Sequence, residues 1–154
     1  LPIFTFVENA LLKARHACIA TGCASLADDS GLVVPALGGE PGLRSARYSG
    51  KGDKGNNALL LANMASLTGH RRAAFYVAVV VLLQHAEDPT PVIAEGRWFG
   101  KIAEAPRGKG GFGYDPLFVP EGSEIHAAEL SSQEKNAVSH RAQAVSNLIQ
   151  QLQA

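Results

Sequence analysis

One run of the chain constrains its fold more than any other. Residues 74–83 are apolar and rich in β-branched side chains, with no alternation of apolar and polar positions. A strand with this composition suits the centre of a sheet that is covered on both faces. The whole apolar run, from Ala73 to Leu83, is too short to cross a bilayer, which requires about 20 such residues. The chain is therefore predicted to build a sheet around this strand.

Helices and further strands are predicted on both sides of this run. A neighbouring strand is predicted over residues 92–102, after a turn at residues 87–90. Thr5-Phe6-Val7-Glu8 is a capping box, which places a helix from Phe6 to about Thr21. The other predicted elements are short strands at 25–27, 32–34 and 117–119, a helix at 57–67, loops at 38–50 and 108–115, and a last helix that opens at the capping box of residues 131–134 and ends near Leu152. Because helices and strands are mixed throughout, the predicted class is α/β or α+β around a mixed sheet.

The composition fits a single folded domain over residues 1–154. An apolar content of 46% excludes a disordered chain. Fourteen basic and fourteen acidic residues leave no formal net charge, which argues against a basic protein that coats nucleic acid and against an acidic tail. Two cysteines, Cys18 and Cys23, in a sequence that shows no secretory leader, favour a reducing cytoplasm over a disulfide scaffold.

A pair of adjacent carboxylates stands in Asp28-Asp29-Ser30-Gly31, predicted to lie at the end of a short strand. Two carboxylates on a glycine turn can hold a hard divalent cation through oxygen ligands. Such an ion would neutralise phosphate charge and lower the pKa of an attacking water. The same residue types also favour turns, and the tetrapeptide alone favours the plain turn by about two to one.

The glycine-dense loop at residues 107–116 is a second candidate. Four glycines in six positions let backbone N–H groups approach an anion closely, and two basic side chains add positive charge. Phe112 and Tyr114 offer rings on which a nucleobase could stack, and Asp115 could accept from a base or an ammonium group. A flexible surface loop is an equally good interpretation.

A charged residue falls within the apolar arc predicted for the last helix. At 100° per residue, the arc consists of Val138, Ala142, Val145, Leu148, Ile149 and Leu152. Arg141 lies inside it, and a buried arginine requires an anionic partner, either a structural ion pair or a phosphate. Lys135 and His140 lie on the adjoining surface, where they either converge with Arg141 on an anion or form a solvated basic face.

Three further charged residues each have an ordinary explanation beside a functional one. Glu8 completes the first capping box, and Lys13 lies on the polar side of the first helix, where it could simply be solvated. Arg47 belongs to a loop and is a candidate for phosphate binding.

Taken together, these segments resemble the inosine triphosphate pyrophosphatase family, enzymes that act on noncanonical purine nucleoside triphosphates. The matching segments, in the family's order, are Thr5–Ala10 with Lys13-Ala14, Ala27–Leu32, Leu37–Gly39 with Pro41-Gly42, Ser45–Tyr48, Gly110–Pro116 and Glu134–Arg141. The resemblance covers Thr5 to Leu152. It implies an elongated α/β fold with a central mixed sheet flanked by helices, and two lobes with a cleft between them. It also implies a cytoplasmic homodimer that binds a small-molecule nucleoside triphosphate, with no nucleic-acid or membrane partner.

The resemblance further implies a reaction and the residues that perform it. Inosine, deoxyinosine or xanthosine triphosphate (ITP, dITP, XTP) would be hydrolysed to the monophosphate and pyrophosphate with Mg²⁺, by attack of water near the α-phosphate. Asp29 would accept the proton and bind the metal, with Asp28 supporting the site. Lys13 and Arg47 would approach the phosphates, and Ser30 would touch the substrate.

The resemblance assigns base recognition to two segments of the chain. In the first, the Phe112 ring would stack on the base and Asp115 would fix its orientation, within the run Phe112-Gly113-Tyr114-Asp115. In the second, Lys135, His140 and Arg141 would line the base and ribose, with His140 and Arg141 reading a 6-keto group. A donor matched to that oxygen would face an amino group if adenine entered, which disfavours adenine.

The sequence departs from the family's pattern at its start. The family begins with a strand, a Ser/Thr-x-Asn-x-x-Lys loop that grips the triphosphate, a helix and a second strand, and an acidic metal ligand just ahead of the Thr5 segment. Because none of these precedes Leu1, we expect a pyrophosphatase domain truncated at its N-terminus, in which Glu8 partly replaces the lost metal ligand. The alternative is a nucleotide-binding module of the same fold with impaired catalysis.

Overall fold

The computed structural model describes residues 2–154. Its principal elements, in chain order, are α1 (Phe6–Thr21), β1 (Ser25–Val33), α2 (Gly52–Asn63), β2 (Ala73–Leu83), β3 (Val92–Ile102), β4 (Phe118–Pro120), α3 (Ser132–Val138) and α4 (His140–Gln153). Short 3₁₀ helices occupy Pro35–Leu37, Gly42–Arg47, Gly69–Arg72 and Ala127–Glu129. No helix of the described chain combines the length and the apolar character that crossing a membrane requires.

The elements with strong local signals have the predicted bounds. Helix α1 begins and ends as predicted, because the Thr5 hydroxyl accepts from the Glu8 N–H at 3.2 Å and Gly22, with φ of 69°, terminates it. Strand β3 is also confirmed, and β2 begins one residue before the predicted position. Helix α2 runs from Gly52 to Asn63, so it begins and ends a few residues earlier in the chain than the helix predicted at 57–67.

The interruption predicted at residues 28–31 is wrong. Ser25–Val33 form one continuous strand, and Asp28 and Asp29 lie inside it rather than in a turn. Strand β1 neighbours β2 in the sheet, so pairing supplies hydrogen-bond partners for this segment and outweighs the local turn preference of its residue types.

The four strands form an antiparallel sheet in the order β1-β2-β3-β4, which with the helices confirms the α/β class. In the β3–β4 pair, Gly100 lies opposite Pro120 and Ile102 opposite Phe118. At Gly100 a Cβ atom would come within 2.3 Å of the Val119 carbonyl oxygen, so the close approach of the two strands requires glycine.

The last helix predicted for the chain is two helices, because Ser139 interrupts it. The Ser139 backbone is extended, and its hydroxyl accepts from the Ala142 N–H at 3.3 Å, which makes it the N-cap of α4. The predicted apolar arc is wrong, since Val145, Ile149 and Leu152 of α4 are exposed. The buried side chains of α4 are His140, Ala144 and Leu148, whereas the Arg141 side chain is 53% exposed.

The chain divides into two compact units, each assembled from segments distant in the sequence. Unit 1 comprises Leu1–Ser30, Val77–Arg97 and Ser139–Ala154, and unit 2 comprises Gly31–Tyr76 and Trp98–Val138. Strands β1, β2 and β3 therefore each contribute residues to both units. The core of unit 1 includes Ala78, Val80, Ala94, Ala144 and Leu148. The core of unit 2 includes Leu32, Leu60, Met64, Ile102 and Leu117, with an aromatic cluster of Tyr76, Trp98 and Phe118.

Candidate active site

Asp29 is held by two side chains of α1 within unit 1. Its Oδ2 accepts from Asn9 Nδ2 at 3.0 Å, and its Oδ1 lies 3.5 Å from Lys13 Nζ. Asn9 and Lys13 are four residues apart and share one helix face, so both reach the same carboxylate. Lys13 Nζ also donates to the Asp28 carbonyl oxygen at 2.9 Å. The Asp29 side chain is 15% exposed and oriented by these donors, and its Oδ1 is only weakly held.

Asp28 and Ser30 contact a different partner. Arg141 Nη2 donates to Ser30 Oγ at 3.3 Å and lies 3.8 Å from Asp28 Oδ2. Consecutive side chains of a strand point to opposite faces, so Asp28 and Asp29 do not converge on one cation as the predicted two-carboxylate site required. Asp28, Ser30 and Arg141 do come together, and a cavity of about 220 Å³ is lined in part by Asp28 and Arg141.

The donor set fits a cation that is shared with a substrate. Glu8 is exposed, and one of its oxygens accepts from the Thr5 hydroxyl at 2.6 Å. Among residues 2–154, no three His, Cys, Asp or Glu side chains cluster in a way that could hold a metal ion. Mg²⁺ commonly takes only one or two protein carboxylates and completes its shell with water and substrate phosphates. Asp29 and Glu8 can supply that number of ligands.

In unit 2, Asp115 is a buried counter-ion rather than an exposed acceptor. The residue is 2% exposed, and its Oδ1 accepts from the Tyr76 hydroxyl at 3.0 Å. Its Oδ2 accepts from the Phe112 N–H at 3.1 Å and from Lys135 Nζ. Burial, and secondarily the Asp115 charge, raises the pKa of Tyr76 well above its ordinary value, so the phenol remains a donor. Asp115 thereby joins a strand, a loop and a helix at one carboxylate.

The two rings of the glycine-dense loop have different environments. Phe112 is 57% exposed, and Lys135 Nζ lies 4.2 Å from its ring centroid. Tyr114 is buried, and its hydroxyl donates to the Ser45 carbonyl oxygen at 2.7 Å. Of the two rings, only that of Phe112 is therefore exposed for stacking, and Tyr114 anchors the loop. Burial raises the pKa of Tyr114, which keeps that anchor protonated.

The interruption at Ser139 separates residues that were predicted to act from one helix. Lys135 belongs to α3 and unit 2, whereas His140 and Arg141 belong to α4 and unit 1. The capping box that opens α3 is confirmed, since Glu134 N–H donates to Ser131 Oγ at 3.1 Å and Ser131 N–H to Glu134 Oε1 at 2.9 Å. His140 is buried.

The predicted site residues thus fall into two groups. Unit 1 contains Glu8, Lys13, Asp28, Asp29, Ser30, His140 and Arg141. Unit 2 contains Arg47, Phe112, Gly113, Tyr114, Asp115 and Lys135, of which Arg47 is exposed at the end of a 3₁₀ helix. Sequence reasoning missed Asn9, although its spacing of four from Lys13 was a usable signal.

Comparison with known proteins defines the class. The sequence profile of the Ham1 family matches residues 4–151, and the chain belongs to this family. It is 55% identical to a dITP/XTP pyrophosphatase of Ralstonia nicotianae, over 98% of this chain and 77% of that protein. A dITP/XTP pyrophosphatase of Aromatoleum aromaticum is 56% identical, over 96% and 75%.

Solved structures agree with this assignment. A HAM1 protein from Coxiella burnetii matches with a TM-score of 0.92 and 47% identity, over 97% of this chain and 77% of that one. The Staphylococcus aureus Ham1 protein matches with a TM-score of 0.91 and 39% identity, over 98% and 78%. Enzymes of this family depend on a divalent metal ion. The resemblance drawn from the sequence motifs is therefore confirmed.

Proposed function

We propose that this chain is a nucleoside triphosphate pyrophosphatase, which converts dITP, XTP and ITP to the monophosphate and pyrophosphate. The observation that carries the proposal is the identity of about 55%, over nearly the whole chain, with relatives named dITP/XTP pyrophosphatase. Such a reaction removes noncanonical purine nucleotides from the nucleotide pool. No comparison favours the alternative of an impaired nucleotide-binding module.

Asp29 is proposed as the proton acceptor for the attacking water. Support comes from its orientation by Asn9 and Lys13, which leaves a carboxylate oxygen whose nearest donor is 3.5 Å away. A general base must be positioned before it is effective, and two donors on one helix face provide that positioning. Asp28 supports the site through Arg141, from which it lies 3.8 Å away.

The metal is proposed to be Mg²⁺, held by Asp29 and Glu8 together with the substrate phosphates. When bound, the ion neutralises phosphate charge and acidifies water. Lys13 and Arg47 are proposed to approach the phosphates, since both are cations, and Ser30 is proposed to touch the substrate through its hydroxyl.

Base selection is proposed to depend on stacking and on donors for the 6-keto oxygen. The exposed Phe112 ring provides the stacking surface, and Lys135 beside it is a donor fixed by Asp115. His140 and Arg141 are proposed to read the 6-keto group. A donor that faces the amino group of adenine is left unsatisfied, which disfavours adenine nucleotides.

The experiment is a measurement of pyrophosphate release from dITP, XTP and dATP, with and without Mg²⁺. We expect release from dITP and XTP, dependence on the metal, and a much lower rate with dATP. Nucleotide binding without pyrophosphate release above background, at high enzyme concentration, would support the impaired module and overturn the proposal.

Residues 1–154 are proposed to work as one domain, in a cytoplasmic homodimer without a nucleic-acid or membrane partner. The equal numbers of basic and acidic residues, fourteen of each, argue against nucleic acid as a binding partner. An apolar groove of about 500 Å³ in unit 2 supports association, since Phe75 and Phe99 line it with ring centroids 5.4 Å apart. Sedimentation of wild type and Phe99→Ser tests the proposed homodimer. A wild type that sediments as a monomer would refute the homodimer.

A further inference from the structure

Phe112 belongs to a loop that its own sequence does not make rigid. Residues 108–113 contain four glycines, and glycine loses more backbone conformational entropy on ordering than any other residue. An aromatic ring can select a base only if the backbone that carries it is held in one place. The structure shows which groups hold it.

Two side chains of α2 grip the peptide groups of Gly113. Asp53 Oδ2 accepts from the Gly113 N–H at 2.8 Å, and Asn57 Nδ2 donates to the Gly113 carbonyl oxygen at 2.8 Å. Asp53 and Asn57 are one helical turn apart, so they lie on the same face of α2. Asn57 Nδ2 also donates to the Asp53 carbonyl oxygen at 2.7 Å, which fixes its amide orientation.

The hydrogen bonds that join Asp53 and Asn57 to Gly113 lie immediately beside Phe112, the proposed stacking residue. Asp115 Oδ2 accepts from the Phe112 N–H at 3.1 Å, so the backbone is fixed on both sides of the Phe112 Cα. Gly113 has φ of 59°, a left-handed conformation that glycine adopts without strain. Three backbone polar groups of the loop, namely the Phe112 N–H, the Gly113 N–H and the Gly113 carbonyl oxygen, therefore have side-chain partners, and two of these partners come from α2.

We infer that Asp53 and Asn57 are positioning residues for base recognition, since they hold the Phe112 backbone in the conformation that presents its ring to the base. The inference rests on the proposed function. According to this inference, α2 controls how tightly and how selectively the base is bound. No sequence motif connected α2 with the substrate.

The first test is Asp53→Ala, with Asp53→Asn as the conservative variant. Alanine removes the acceptor for the Gly113 N–H, so KM for dITP should rise about tenfold while kcat changes little. The preference for dITP over dATP should fall in the same variant. Asparagine retains an acceptor oxygen and should restore KM to near the wild-type value.

The second test is Asn57→Ala, with Asn63→Ala as its matched control. Asn63 lies on the same helix and donates to the Tyr48 hydroxyl at 2.7 Å, so its replacement also removes one hydrogen bond but not one to the loop. We expect KM to rise in Asn57→Ala and to stay near wild type in Asn63→Ala. Equal KM values in the two variants, or a normal preference for dITP over dATP in Asn57→Ala, would overturn the inference.

Hydrogen exchange separates this inference from the proposed function. The amides of residues 112 and 113 should exchange faster in Asp53→Ala than in wild type, without nucleotide present, while amides of β2 are unchanged. If wild type releases no pyrophosphate, the proposed function fails but the exchange result still decides whether α2 holds the loop. Unchanged exchange at these amides would refute the inference even in an active enzyme.

Discussion

Asp29 accepts from Asn9 at Oδ2 and from Lys13 at Oδ1. An asparagine in its place retains one acceptor oxygen for Asn9 and loses only the long contact with Lys13. Asp29→Asn should therefore retain the fold, with a melting temperature close to wild type, but lower kcat by about 10²–10⁴-fold, because an amide cannot take up a proton. Pyrophosphate release under saturating dITP measures the effect, with Asp28→Asn as the neighbouring control. Undiminished turnover in Asp29→Asn would refute its assignment as general base.

Arg141 makes a long, exposed contact with Asp28. Exposed ion pairs contribute little to stability, so Arg141→Ala should lower the free energy of unfolding by less than about 1 kcal/mol. The ratio of kcat/KM for dITP over dATP should fall instead. Arg97 forms a similarly exposed pair with Glu95 at 3.0 Å, so Arg97→Ala is the matched control. A large loss of stability with an unchanged substrate ratio would identify Arg141 as a structural residue.

At the scale of elements, the turn between β2 and β3 is organised by one carboxylate. Asp88 accepts from the Gln84 N–H and the Thr90 N–H, both at 2.9 Å, and these bonds lower the pKa of Asp88. A lowered folded-state pKa stabilises the fold above the ordinary value of about 3.9, and this contribution is lost as the pH falls through the folded-state pKa.

Asp88→Asn should therefore be less stable than wild type at about pH 7, and this difference should disappear towards about pH 2. Thermal melts of both proteins across this range measure the difference. Glu87→Gln, at the exposed neighbouring acid, is the control for removing one negative charge from the same turn. A difference between wild type and Asp88→Asn that stays constant with pH would contradict the linkage.

Arg72 joins the end of α2 to the end of β3. It is 8% exposed and donates to four carbonyl oxygens: those of Met64 at 2.9 Å, Leu67 at 3.1 Å, Ile102 at 2.8 Å and Ala103 at 2.9 Å. Arg72→Met would remove the guanidinium donor from all four oxygens, so we expect a loss of about 3 kcal/mol or more in the free energy of unfolding, measured by urea denaturation. Arg71→Met, at the exposed neighbour, should cost far less. Similar losses for both variants would argue against this function of Arg72.

The elements differ in how far the sequence predicts them. Helix α1 and strand β3 were predicted because their signals are local: a capping box, a glycine end and an apolar pattern. The continuity of β1 was not predicted, since the pairing with β2 that extends it involves residues far away in the sequence. The interruption at Ser139 was missed because a serine inside a helical pattern becomes an N-cap only where its own backbone is extended, which the pattern does not reveal.

At the scale of the whole molecule, the scarcity of clustered metal-ligating side chains predicts how the protein responds to metal removal. Because no group of three metal-ligating side chains exists among residues 2–154, a chelator should stop pyrophosphate release without unfolding the protein. Circular dichroism and the melting temperature should be unchanged by EDTA, and added Mg²⁺ should restore activity. A fall in melting temperature on chelation would reveal a structural metal instead.

The amino-acid sequence by itself determined the family, the α/β class and the segments that carry the site, because motifs and capping signals are properties of neighbouring residues. Only the tertiary structure decided what those residues touch. It directed Asp28 and Asp29 to opposite faces of one strand and buried Asp115 among three donors. It also brought Asp53 and Asn57 to Gly113, across separations of 60 and 56 residues. Such contacts depend on how distant segments pack, and a local pattern contains no information about its distant partners.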